Sequence, residues 1–424
     1  MSTTPNERLA AIDVLRGVAV LGILVMNVGT SAAPVGAYFS PALYFSNEGL
    51  NRLVFQFQYL VFMNKMMPIF SMLFGAGVFL FALKIDRGEP LKRVRALWLR
   101  RCGWLLFFGL IHAYLIWEGD ILVPYALLGL LLVWWCRRLR PAWLISIASM
   151  LMLVGLAITT LWGAWLIFVL DPEVGSQFGY TPSPFKVEQA VESFVWLGIT
   201  PEQIDEMLVR MRSDYATIAL HRASQMLLNH LLFLPFFGVW FVGGYMLLGL
   251  ALAKLGVLTG KASARAYTLL TILGYAIGVS ASIAILALAD AKDWNVGWTI
   301  LAMMPLTMIA GPVTALGHIG LVMLLVKRNA LGWLGTCLQA AGRMAFTNYI
   351  AQSLLMTFVF YGYGFGLYGY VDRFGQMVFV LGVWLLQLAW SPLWLAHFRY
   401  GPLEWLWRCL TYWKILPISR ASAG

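Results

Sequence analysis

Apolar positions in this chain come in long unbroken runs rather than in alternating or one-faced patterns. Ten runs approach or exceed the length a helix needs to cross a bilayer, about 20 residues. They are 11–33, 59–83, 98–118, 120–136, 143–170, 228–253, 266–289, 298–326, 344–361 and 376–397. Each is apolar on all sides, which excludes spanning strands, because those would alternate over about 10 residues. The eighth run carries Pro305 and Pro312 and is expected to kink or break. The pattern predicts an all-α, polytopic membrane helix bundle of about ten transmembrane helices.

Two stretches have a different, amphipathic rhythm. Segment 171–227 opens rich in Pro and Gly, then reads Thr200-Pro201-Glu202-Gln203: an N-cap, a proline at the first helical position and a Gln placed to close a capping box. Ile204, Met207, Leu208 and Met211 follow at helical spacing, opposite Asp205, Glu206 and Arg212. Such a segment is too small for a domain of its own and is expected to lie over the bundle as a lid. In the tail, Leu403, Leu406, Trp407 and Leu410 form an apolar face, with Glu404 and Arg408 spaced to pair, as in an interfacial helix. The organisation expected is a five-span half at 1–170, the lid at 171–227 and a second five-span half at 228–424.

Composition agrees: 61% of the 424 residues are hydrophobic and 12% charged, against about 25% charged in ordinary globular chains. The net charge of +11 is a topology signal. Loops on the side of the N-terminus hold 22 of the 30 basic residues and five of the 19 acids, a net of +17; the other side nets −6. By the positive-inside rule both termini lie in the cytoplasm, and nucleic acid is not an expected partner. Cys102, Cys136, Cys337 and Cys409 all fall at cytoplasmic ends of runs, so no disulfide is expected. No Cys/His metal spacing, phosphate-binding loop or nucleophile elbow is present. The first run is span-length and carries Asp13 and Arg16, unlike a cleaved signal. Glycines 362, 364, 366 and 369 alternate with aromatics and read as an aromatic belt.

Polar residues inside spans are costly, and three fall at one depth, about 8–12 Å below the outer surface: Asn27, Lys65 and His112. Asp120 follows His112 across a short turn, and Tyr125, Asn229 and His230 lie on the same side. A carboxylate beside His112 would orient its ring and raise its basicity, and Lys65 would stabilise an anion. The alternative is buried hydrogen bonding with a snorkelling lysine. The expectation is a cavity lined by Lys65, His112 and Asp120 with Asn27 at its floor. Arg16, about 16 Å deeper along the same helix, either binds phosphate or pairs with Asp13. Arg343, Asn348 and Gln352 share that inner side, while His221, His318 and His397 read as structural or solvated.

These residues sit in stretches that resemble the bacterial YeiB family over nearly the whole chain. They are Asp13-Val14-Leu15-Arg16-Gly17 with Asn27, Lys65 with Phe70 to Gly77, Gly109 to His112 with Gly119 to Leu122, Gly342 to Ala345 with Thr347-Asn348-Tyr349 and Gln352-Ser353, and Gly401 to Arg408. The Arg16-Gly17 start with Asn27 is more distantly similar to transmembrane acyltransferases such as the heparan-α-glucosaminide N-acetyltransferase family. That resemblance implies transfer of an acyl group from cytoplasmic acyl-CoA, held at Arg16 and Arg343, to an unidentified small-molecule or glycan acceptor outside. It implies no covalently bound cofactor and a place in the bacterial inner membrane. In that family a histidine follows the asparagine shortly; here none occurs before His112, which moves the general base there, with Lys65 or Asn27 holding the oxyanion. A transporter of a small anion or lipid-linked metabolite and a non-catalytic scaffold are the other classes the residues allow, and a homo-oligomer stays open.

Overall fold

A computed structural model describes residues 5–170, 172–192, 197–295, 298, 299 and 303–420. Among these, eight helices are long and apolar enough to cross a membrane: Ala10–Ser31, Gly49–Asp86, Leu91–Ile116, Pro141–Val169, Leu234–Lys254, Ala264–Ala291, Met303–Lys327 and Arg373–His397. Two shorter apolar helices, Leu122–Cys136 and Ala345–Phe360, complete a one-to-one match with the ten runs of the sequence. The fold is an all-α polytopic helix bundle. Local signals start several helices: Ser263 accepts from the Ala266 N–H, and Asp372 from the Gly375 N–H.

Between helices that cannot be driven together by water, close backbone approach does the packing. Gly75 meets the Met246 carbonyl and Gly249 the Met72 carbonyl, so the second and sixth apolar helices cross with no side chain between them. Gly17 and Gly342 do the same where the first helix meets Gly332–Arg343. That amphipathic helix escaped the sequence reading because its 12 residues are too short for a span-length window. The tail packs against this region: Trp407 donates to the Arg101 carbonyl and Arg343 to the Arg399 carbonyl.

Several expectations are corrected. Met303–Lys327 runs through Pro312 without a break. The second run begins at Gly49, and its helix is interrupted at Phe62–Lys65, with Asn64 in the left-handed region at φ 53°. In the tail helix Pro402–Tyr412, Glu404 does not pair with Arg408. Its carboxylate accepts from the Phe346 and Thr347 N–H groups and the Thr347 hydroxyl, capping the ninth helix, and Arg408 lies over the Tyr400 ring instead. Helix N-termini present unsatisfied donors to an anion, which the Glu404 carboxylate satisfies here.

The segment expected to act as a lid carries the helices Pro172–Gln177, Pro184–Glu192, Pro201–Met211 and Tyr215–Leu228, and the last two pack on the bundle. Thr200 caps Pro201–Met211 as expected, but the Gln203 side chain closes on the Ile199 N–H, one residue before the cap. The Met211 carbonyl accepts from the Gly362 N–H, and Arg212 donates to the Tyr368 carbonyl. Segment 361–370 is therefore no simple interfacial belt: Tyr361 and Tyr368 are buried beneath the lid. Gly362 lies directly against the Arg212 and Ser213 backbone, a contact that a side chain there would block.

Candidate functional site

Near the lid side, the third apolar helix loosens into wider turns over His112–Ile116, where the Trp117 N–H reaches back five residues to the His112 carbonyl at 2.8 Å. Such insertions re-aim side chains and recur at functional sites. His112 is fully buried and bonded at both ring nitrogens. Its Nδ1 lies 2.8 Å from Asp120 Oδ1, and its Nε2 lies 2.9 Å from the hydroxyl of Ser353 on the ninth helix. Asp120 Oδ2 also accepts from the Val123 N–H at 2.7 Å, which locks the carboxylate at the start of the fourth helix.

The arrangement sets the tautomer. In the neutral ring the carboxylate, which only accepts, places the proton on Nδ1 and leaves Nε2 to accept from Ser353. Ser353 has one proton, and its alternative acceptor, the Tyr349 carbonyl, is farther at 3.3 Å. Tyr349 packs on the ring at 5.0 Å between centroids and anchors its own hydroxyl on the Gly119 carbonyl. Carboxylate, imidazole and hydroxyl thus form the order in which a base activates a nucleophile.

The other residues singled out in the sequence go elsewhere. Lys65 is fully buried, but its ammonium donates to the Tyr59 carbonyl at 2.6 Å and faces the Ser282 hydroxyl at 3.5 Å. It therefore does not share the His112 hydrogen-bond chain. The break at Phe62–Lys65 swings its side chain toward the seventh helix, a direction that depth along a span does not reveal. Asn27 is partly exposed on the first helix, one turn before Ser31, whose hydroxyl meets Met356 Sδ on the ninth. On the face between Asn27 and Arg16 lie Val20, Ile23 and Leu24, all buried, so that stretch is an apolar plug and not a path. Arg16 pairs with Asp13 at 2.7 Å.

Asn348 and Gln352 join a buried polar chain: Asn348 to the Ala341 carbonyl and Ser391, and Gln352 to the Val20 carbonyl and Gln387. Tyr125 bonds Ser71 at 2.8 Å. His230 stands 3.4 Å from the Tyr114 hydroxyl, while His318 bonds Tyr275 and the Val61 carbonyl. His221 lies on the helix Tyr215–Leu228 and not in a loop, half-buried against Arg210.

Ser353 is the residue that sequence reasoning passed over. It stood in a quoted motif, yet nothing local distinguishes a serine that packs from one that meets a histidine 241 positions away. Beside the site lies a groove of about 530 Å³ lined by Leu115, Ile116, Tyr215, Leu354, Thr357 and Phe358, among others. Leu115 and Ile116 follow His112 by one helical turn, and Thr357 follows Ser353 by one.

The molecule is thus a multi-pass membrane protein with a buried acid–histidine–serine chain. It belongs to the YeiB family. It is 32% identical to the uncharacterized protein YeiB of Escherichia coli (strain K12), over 98% of this chain and all of that one. It is 30% identical to the uncharacterized protein YxaH of Bacillus subtilis (strain 168), over 99% of this chain and 98% of that one. Residues 252–414 match the family described as a protein of unknown function (DUF418); the matched region includes Ser353 but neither His112 nor Asp120.

Proposed function

We propose that this chain is an acyltransferase of the bacterial inner membrane, with both termini cytoplasmic, in which Ser353 carries the acyl group. The observation that supports this reading is the Asp120–His112–Ser353 chain, with hydrogen bonds of 2.8 and 2.9 Å. Ser353 Oγ attacks the carbonyl carbon of an acyl thioester while its proton passes to His112 Nε2. The C–S bond breaks, and that proton leaves with the thiol. A hydroxyl or amine of the acceptor then attacks the Ser353 ester and gives its proton to Nε2. Ser353 Oγ takes that proton back as it leaves. Asp120 holds the tautomer and stabilises the imidazolium. An acyl group delivered from cytoplasmic acyl-CoA must pass Val20, Ile23 and Leu24, so the donor half of the cycle requires a second conformation.

A fluorophosphonate, which reacts with base-activated serines, tests the site without knowledge of donor or acceptor. Ser353 should be labelled in the intact protein, and His112→Ala and Ser353→Ala should abolish the label. Equal labelling of the His112→Ala protein sinks the proposal. Transport of a small anion is the second reading, favoured by the buried Lys65 ammonium with its neutral partners; uptake into liposomes without an acyl donor would support it.

A further inference from the structure

The groove beside the site has walls of two kinds. Leu115, Leu354 and Phe358 are each at least half exposed on the outer surface of an apolar helix bundle, so they face hydrocarbon and the groove opens sideways into the bilayer. At its lid end the lining changes to Tyr215 and Tyr363, whose rings meet edge to face at 5.4 Å. Tyr215 is held by its hydroxyl to the Leu115 carbonyl at 2.8 Å.

Behind Tyr363 stands Arg222 of the lid, 2% exposed. Its Nε reaches Glu118 at 3.3 Å, while Nη1 and Nη2 have no hydrogen-bond partner within 3.5 Å among the described residues and act only more distantly on the Tyr363 hydroxyl. The guanidinium lies near the Tyr361 ring at 5.8 Å, and Tyr361 donates its hydroxyl to Glu118 at 2.9 Å. One carboxylate thus serves both a phenol and a cation. The other arginines of this segment are engaged: Arg210 pairs with Glu206 and Arg212 lies over the Tyr370 ring. A buried guanidinium with two open nitrogens is costly unless an anion supplies the missing acceptors, and its planar fork suits a phosphate.

We infer that the groove and Arg222 together bind an anionic phospholipid of the bilayer, acyl chain along Leu115, Leu354 and Phe358 and phosphate at Arg222 beneath the lid. The lateral opening selects a molecule already in the membrane, and the charge selects its head group. A volume of about 530 Å³ is of ligand-pocket size. The inference concerns binding and stands apart from acyl transfer.

The test uses the purified, delipidated full-length chain in neutral detergent, with phosphatidylglycerol and phosphatidylcholine of identical chains as probes. Binding is read by native mass spectrometry and by the rise in unfolding temperature on lipid addition. Phosphatidylglycerol should bind and stabilise at least about tenfold more strongly than phosphatidylcholine, and Arg222→Gln should remove that preference. Leu354→Trp, which fills the groove at an exposed position away from Arg222, should weaken both lipids. Equal binding of the two lipids by the wild type overturns the inference. So does undiminished phosphatidylglycerol binding by a folded Arg222→Gln protein. Should Arg222→Gln fail to fold, Leu354→Trp decides: wild-type phosphatidylglycerol binding by that variant overturns the proposal, and a loss supports it.

Discussion

Replacing Asp120 by Asn alters the chemistry of the Asp120–His112–Ser353 chain while leaving its shape. In the Asp120→Asn protein the amide oxygen can keep the Val123 N–H, now bonded at 2.7 Å. The amide nitrogen then faces His112 Nδ1 and donates to it. The ring must move its proton to Nε2, which now donates to Ser353, and Ser353 turns its own proton to the Tyr349 carbonyl at 3.3 Å. Every buried group keeps a partner, so the fold loses only the difference between a charge-assisted and a neutral hydrogen bond, about 1 kcal/mol. The base, however, is gone, because Nε2 can no longer accept the serine proton. In a working triad the wrong tautomer costs about ten-thousand-fold, or roughly 5 kcal/mol of barrier. The assay is the rate of fluorophosphonate labelling at Ser353 per folded molecule, alongside denaturant unfolding in detergent. Labelling that falls less than about tenfold would refute the assigned tautomer and the role of His112 as base. A loss of more than about 3 kcal/mol of stability with labelling per folded molecule unchanged would make the chain a structural network.

Lys65→Met should leave Ser353 labelling intact and stability unchanged or improved, since a buried ammonium with neutral partners is exchanged for an apolar chain of similar length; lost labelling would mean that the two sites are coupled. Glu404→Ala should cost about 2 kcal/mol or more by stripping the cap from the ninth helix, and a wild-type unfolding midpoint would show that the cap is dispensable. Burial, together with the Arg210 cation, holds the His221 imidazole below its usual range; Arg222 adds to this, and Glu118 and Glu206 oppose it. A lowered value in the folded state means that the lid gains stability from neutral His221 above the unfolded value of about 6.5 and loses it as pH falls from there through the lower folded value. Hydrogen exchange across 201–228 should therefore quicken on acidification from about pH 7.5 to 5.5 in the wild type and less so in His221→Gln, and identical profiles would discount His221. A single cysteine at Ser176 in a cysteine-free background should react with an impermeant maleimide from outside intact cells; reaction only after lysis would invert the orientation.

The amino-acid sequence by itself determined the class, the number and placement of the apolar helices, and one helix start. These properties are local. Twenty consecutive apolar residues demand a bilayer whatever surrounds them, and Thr200-Pro201 starts a helix within its own turn. The pairing of His112 with Asp120 was legible too, because only eight residues and one short turn separate them.

Everything that required knowing which way a span faces was decided by the tertiary structure. Runs that are apolar on every side carry no stripe to mark an inner face, so equal depth placed Lys65 beside His112 when the break at Phe62–Lys65 directs it to Ser282. The same blindness hid Ser353 and turned Glu404 from an expected partner of Arg408 into the cap of a helix 57 residues away in sequence. In a membrane, polar groups find one another because hydrocarbon offers them no alternative. Which groups meet depends on where glycines such as Gly17, Gly75 and Gly249 let backbones touch, and that geometry exists only once the helices have packed.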